Sequence, residues 1–121
     1  MATGGGVEPV DRYRRSATEA GMQRTVKEAI EHRGGRVWHV RDSQGMDVGD
    51  MPDLLIVDPM SATVYLAEMK SQSRRVTDGQ RHALDLLGAC RGLWAGIVRP
   101  RPRDVRETSY DAFIDLFRGS E

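Results

Sequence analysis

Asp53, Glu68 and Lys70 have the types and spacing to do chemistry on a divalent cation. Asp53 follows Pro52 and opens a short, almost wholly apolar run over 53–58, as expected of a strand buried on both faces. Asp58-Pro59-Met60-Ser61 is turn chemistry, and 63–69 reads as a second strand, so the two form a hairpin. The two-residue period of a strand puts Val64, Leu66, Glu68 and Lys70 on one face and Tyr65, Ala67 and Met69 on the other. The hairpin brings Asp53 and Glu68 to the same end of the sheet. Two carboxylates there, with a backbone carbonyl such as that of Met69, make an oxygen cage suited to Mg²⁺ or Mn²⁺. Such an ion acidifies water and neutralises charge on phosphate oxygens. Lys70 is a point charge suited to orienting that water or stabilising a phosphoryl transition state.

The remaining elements must position this group. A helix is expected over 17–33, capped by Ser16 or Thr18 and stopped by Gly34-Gly35, with Met22, Val26, Ala29 and Ile30 at helical spacing. Glu19 and Gln23 lie on or beside that stripe. A strand over 36–41 follows, then a loop carrying two glycines over 42–51. Thr77-Asp78-Gly79-Gln80 has the form of a capping box and opens a second helix, whose apolar stripe is Ala83, Leu84, Leu87 and Cys90. A strand over 93–98 and a short helix over 110–117 complete the chain. The expected fold is α/β: a mixed central sheet of about four strands flanked by helices, in the order α-β-β-β-α-β-α. Residues 1–15 are aperiodic and Gly-rich at their start, and are expected to form a flexible arm; 16–121 form a single domain.

Composition narrows the classes. The 121 residues suffice for one domain, of which roughly two thirds of the unfolded surface can be buried. Hydrophobic residues make up 39% and charged residues 30%, a globular balance. No apolar run approaches the ~20 residues of a membrane helix. The first 20 residues lack the apolar stretch of a secretory signal, which argues for a cytoplasmic protein. The single cysteine excludes an intrachain disulfide and suits a reducing compartment. Net charge is zero, which argues against a strong non-specific polyanion binder. Its distribution is uneven: 42–69 holds six acids and no Lys or Arg, whereas 71–103 holds seven arginines and two acids. An acidic centre before a basic segment can hold a cation and then a phosphate chain, although from charge alone solvated faces are the plainer reading.

The string PDLLIV…YLAEMK resembles the PD-(D/E)XK nuclease signature. The wider context, TEAGMQRTV, VWHVRDS, a Gly shortly before PDLLIV, LAEMKS and VTDGQRHALDLL, resembles the virus-type replication–repair nuclease (VRR-NUC) domain over about 18–100. The resemblance implies a restriction-endonuclease-like core and metal-dependent hydrolysis of DNA that leaves a 5′-phosphate and a 3′-hydroxyl. It implies Asp53 and Glu68 as metal ligands with the Met69 carbonyl, Lys70 as the catalytic lysine, and Glu19 as an acid of the metal's outer shell. Gln80 matches the family glutamine near the lysine and the phosphate. His39, Asp42 and Ser43 match a segment near the active site. Small stand-alone members are homodimers and some resolve Holliday junctions, so DNA, branched DNA in particular, is the implied partner, in a bacterial or phage-infected cell. One departure is an extra residue: Gly49 is followed by Asp50 and Met51 before Pro52, so Asp50 is either a further metal-shell ligand or a disturbance of the loop.

Plainer roles stand beside these. Asp53 also suits an Asx turn, Glu68 and Lys70 a solvated pair, Gln80 a helix cap, and Glu19 a first-turn acid favoured by the helix dipole. An inward Glu68 needs a partner, which favours chemistry. Arg74, Arg75 and Arg81 are the candidate phosphate contacts, joined by His39 and Ser43. Trp38 and Trp94 are expected in the core, and Cys90 as a small buried hydrophobe. The alternatives to a junction-selective endonuclease are a nuclease on flapped, nicked or duplex DNA or RNA, and a non-catalytic DNA-binding subunit of the same fold.

Overall fold

The computed structural model describes residues 18–40 and 49–118. Asp42, Ser43 and the expected N-terminal arm lie outside the described residues. Helix α1 (Glu19–His32) packs beside strands β1 (Arg36–His39), β2 (Leu54–Asp58) and β3 (Thr63–Met69). Helix α2 (Asp78–Gly88), β4 (Leu93–Arg99), β5 (Glu107–Ser109) and α3 (Tyr110–Asp115) follow. The strands form one mixed sheet in the order β1-β2-β3-β4-β5, antiparallel from β1 to β3 and parallel from β3 to β5. The sheet therefore has five strands rather than about four.

Strand alternation sorts the side chains into layers. Leu54, Ile56, Tyr65, Ala67, Met69 and Val98 meet Met22, Val26 and Ile30 of α1 and Phe113 and Ile114 of α3 in the main core. Tyr65, Trp94, Phe113 and Phe117 form an aromatic cluster with ring centroids 5.1–6.0 Å apart. Leu66, Ile97 and Leu84 are buried in a thinner layer toward α2. The main core needs α1 to stop cleanly before β1, and Gly34 at φ +85° allows this; that backbone conformation disfavours side chains with a Cβ.

Three expectations about single residues change. Trp38 is 40% exposed, because it lies opposite in sense to buried Val37 on the edge strand β1, and its ring stacks under the Arg36 guanidinium at 4.5 Å. Cys90 is exposed, because α2 ends at Gly88 and the residue falls past the helix. The last helix closes at Asp115, so Phe117 reaches the core from the turn that follows.

The far end of the hairpin is held by a buried ion pair. The Asp58 carboxylate accepts from Arg33 Nε at 3.0 Å and Nη2 at 2.9 Å, from Ser61 Oγ at 2.7 Å and from Met60 N at 3.2 Å. Arg33 Nη1 also donates to the Phe117 carbonyl, tying α1, the hairpin turn and the end of α3 together. Burial alone would raise the Asp58 carboxyl; the Arg33 and Ser61 hydrogen bonds and the Arg33 charge outweigh it and hold the group below its ordinary value. A lowered carboxyl stabilises the fold above its unfolded-state pKa and loses that contribution as pH falls through the folded one. Asp58→Asn leaves a buried guanidinium short of its counter-charge and is expected to cost about 3–5 kcal/mol at neutral pH, read from denaturant midpoints, with the deficit shrinking in acid.

No helix of the described residues is long and apolar enough to cross a membrane.

Candidate active site

The antiparallel register pairs Leu54 with Ala67. One step further along the same register sets Asp53 opposite Glu68, so both carboxylates leave the same end of the hairpin on one face. Lys70, two residues beyond Glu68, shares that face and is almost wholly buried; its Nζ lies 3.4 Å from Glu68 Oε2. The structure thus brings together the three residues singled out in the sequence.

Each carboxylate is oriented by amide donors. Asp53 Oδ1 accepts from the Met69 backbone N–H at 3.1 Å, which locks it onto β3. Asp53 Oδ2 accepts from Gln23 Nε2 at 2.8 Å. Gln23 Oε1 is engaged by His39 Nε2 at 3.1 Å, so the side-chain amide has its NH₂ group toward the aspartate. Gln80 repeats this arrangement on the other side. Its Oε1 accepts from Thr77 N at 3.0 Å while Thr77 Oγ1 accepts from Gln80 N at 3.1 Å, the complete capping box. The free Nε2 then points at Glu68 Oε2, 3.4 Å away. Gln80 therefore serves both as cap and as a donor to the site, and the two roles expected of it are compatible.

Gln23 is a site residue that the sequence reading left without a role. The signal was its position four residues after Glu19, on the same helix face. Glu19 reaches the site's edge: its Oε2 accepts from Ser71 N at 3.0 Å and its Oε1 lies 3.6 Å from Arg74 Nη1. Asp50 takes a position not foreseen for it. Its carboxylate packs against Gly79 in the first turn of α2, where any Cβ would overlap it. The helix N-terminus suits that negative charge.

The arginine segment divides into two groups. Arg99 is buried and structural: it holds Glu107 through Nε at 2.8 Å and Nη2 at 3.1 Å, and Nη1 binds the carbonyls of Ser71 and Arg74. It thereby fixes the loop that follows Lys70. Burial would raise Glu107, but the Arg99 hydrogen bonds and the Arg103 N–H bring it below its ordinary value. Arg81 lies 4.0 Å from both Asp104 and Glu107, and Arg74 and Arg75 are exposed.

The electrostatics of the pair favour a cation. Burial pushes Asp53 up from 3.8 to about 6, against the lowering effects of the Met69 and Gln23 hydrogen bonds. Burial, then the charge of Asp53, pushes Glu68 up from 4.5 to about 7, although Lys70 opposes it. Two hard carboxylates that repel each other in a partly dry site are a donor set that fits Mg²⁺ or Mn²⁺. Among the described residues no three His, Cys, Asp or Glu side chains gather as a ready-made cage, so the fit rests on this pair with a backbone carbonyl.

Carboxyls raised on folding bind more protons in the native state than in the unfolded one, so they destabilise the metal-free protein as pH rises from about 4 to about 7. Glu68→Gln is therefore expected to stabilise the metal-free protein at pH 8 by about 1 kcal/mol or more, and to be near neutral at pH 4. Thermal melts at both pH values in EDTA check this. Gln23→Ala is expected to weaken Mn²⁺ uptake about 10-fold, measured by calorimetry, with little change in melting temperature.

No family model matches the chain, and no curated protein matches it. A solved structure described as a VRR_NUC domain superposes on 86% of this chain and 98% of its own length, with a TM-score of 0.56 and 22% sequence identity. The five-stranded mixed sheet with helices on both sides is thus shared with that domain, and the chain has a restriction-endonuclease-like α/β fold.

Proposed function

We propose that the chain is a metal-dependent endodeoxyribonuclease. The observation that carries this reading is the half-buried Asp53 beside the buried Glu68, with Lys70 Nζ 3.4 Å from Glu68, on a fold shared with a VRR_NUC domain. Asp53, Glu68 and the Met69 carbonyl would hold Mg²⁺ or Mn²⁺, with Glu19 as a supporting acid at the site's edge. The ion, when bound, supplies charge neutralisation at the phosphate and acidifies water.

The chain's own residues do the rest. Asp53 and Glu68 are pre-oriented by Gln23 and Gln80, so little side-chain ordering remains to be done on binding. Lys70, held 3.4 Å from Glu68, would face the phosphoryl oxygens, where negative charge grows in the transition state. Gln80, a neighbour of the same carboxylate, donates toward that region. Arg74, Arg75 and Arg81 contact phosphates of the bound strand, with His39 near the strand's path.

The finer reading is a homodimer selective for branched DNA such as a four-way junction, acting in a bacterial or phage-infected cytoplasm. A two-fold dimer matches the two symmetric strands a junction presents.

Cleavage of labelled four-way junction, flap, duplex and single-stranded DNA with Mg²⁺, Mn²⁺ or EDTA tests the proposal. Asp53→Ala and Lys70→Ala are each expected to lower the cleavage rate at least about 100-fold while leaving circular dichroism unchanged. Metal-dependent cutting that survives either substitution would refute the assignment. Symmetric cuts confined to the junction mark a resolvase, and cuts on other substrates contradict the selectivity.

A further inference from the structure

We propose that the cleft between α1 and β1 is the subsite for the nucleotide next to the scissile phosphate, with Arg24 and Lys27 gripping the adjoining phosphodiester. This deepens the nuclease reading and rests on it. The cleft has a volume of about 480 Å³ and opens directly beside Asp53. That is within the roughly 300–1,000 Å³ of small-molecule sites.

Its lining changes character with distance from the carboxylate. Asp53 and Gln23 form the end that joins the metal-binding pair. Ala20 and Val40 contribute carbon surface, which suits a sugar and one face of a base. Arg24 and Lys27 bring two cations from one helix face, and among the described residues Asp53 is the lone acidic side chain lining the cleft.

These cations are available to a ligand. Arg24 has no hydrogen-bond or ion-pair partner among the described residues. Lys27 is paired with Glu31 at 2.8 Å, but both side chains are 47% exposed. Exposed pairs of this kind are worth little, so a phosphate can displace Glu31. Arg74 and Arg75 lie on the loop beyond Lys70, with Arg74 against Glu19. A DNA strand seated in the cleft would therefore pass Asp53 and Glu68 with cations on both sides of the cut. A plain solvated face explains the exposure of Arg24 and Lys27, but not their place on a cleft that ends at Asp53.

The test is fluorescence anisotropy of labelled duplex, four-way junction and single-stranded DNA, and of RNA, across a salt series with Ca²⁺ in place of Mg²⁺. It is run alongside steady-state cleavage in Mg²⁺. The double variant Arg24→Gln/Lys27→Gln is expected to bind DNA about 10-fold or more weakly, with the salt slope reduced by roughly 1–2. It should raise KM with little change in kcat. Glu31→Ala, which frees Lys27, should tighten binding. Arg118→Ala, at the separate pocket between α1 and the chain after α3, serves as a control that leaves binding unchanged.

Unchanged affinity and slope in the double variant, with wild type cleaving normally, would overturn the subsite and leave the nuclease reading standing. The dependence appearing for RNA and not for DNA would overturn the assignment to a DNA strand. A wild-type protein that neither binds nor cuts any of these nucleic acids would overturn both the reading and this inference.

Discussion

Asp53 and Glu68 face each other across one antiparallel strand pair, in a setting dry enough to raise both carboxyls toward neutrality. Two like charges at that spacing disfavour the folded chain unless protons or a cation compensate them. Much of the local architecture serves to keep them there. Apolar β2 and β3 supply a rigid pair of strands between α1 and the α2 layer. The Met69 N–H anchors one carboxylate. Two glutamine amides, each with its oxygen engaged elsewhere, present only donors to the pair. Lys70 gives partial neutralisation from the residue just past the end of β3.

The two helices flanking the site act as rulers for those donors. Helix α1 delivers Gln23 and Glu19 from successive turns, and the Gln23 amide turns its NH₂ to the Asp53 carboxylate and its oxygen to His39 on β1. The capping box at the start of α2 does the same for Gln80. The first turn of α2 is also where Asp50 rests against Gly79, so the residue inserted before Pro52 is accommodated by a helix terminus. At the opposite end of β2 the Arg33–Asp58 pair fixes the hairpin turn, and with it the register that places Asp53 across from Glu68. The buried ion pair at one end and the carboxylate pair at the other are thus two consequences of a single strand pairing.

The hairpin and its three chemical residues were legible in the sequence because strand periodicity is two and the turn at Asp58-Pro59 sets the register. The capping box was legible for a similar reason: it is local. Features that depend on distant partners were not. Strand β5 is three residues, Glu-Thr-Ser, with no apolar alternation; it forms because Arg99 on β4 captures Glu107. Arg99 itself read as one more member of the basic segment, since nothing nearby in sequence announces its burial. Trp38 looked like core by type, yet the edge strand leaves its face partly open. Gln23 is an ordinary helix residue until Asp53, thirty positions away, is placed against it.

A titration of Mn²⁺ into ¹⁵N-labelled, DNA-free protein at pH 8, followed by amide NMR, addresses the central claim most directly. Paramagnetic broadening falls steeply with distance, so a cation held by Asp53 and Glu68 will erase the amide signals of Asp53, Met69 and Lys70 first, and Asp53→Asn will abolish that pattern. Broadening that spreads instead over exposed acids such as Asp104 and Asp85, with the Met69 amide spared, would contradict the account.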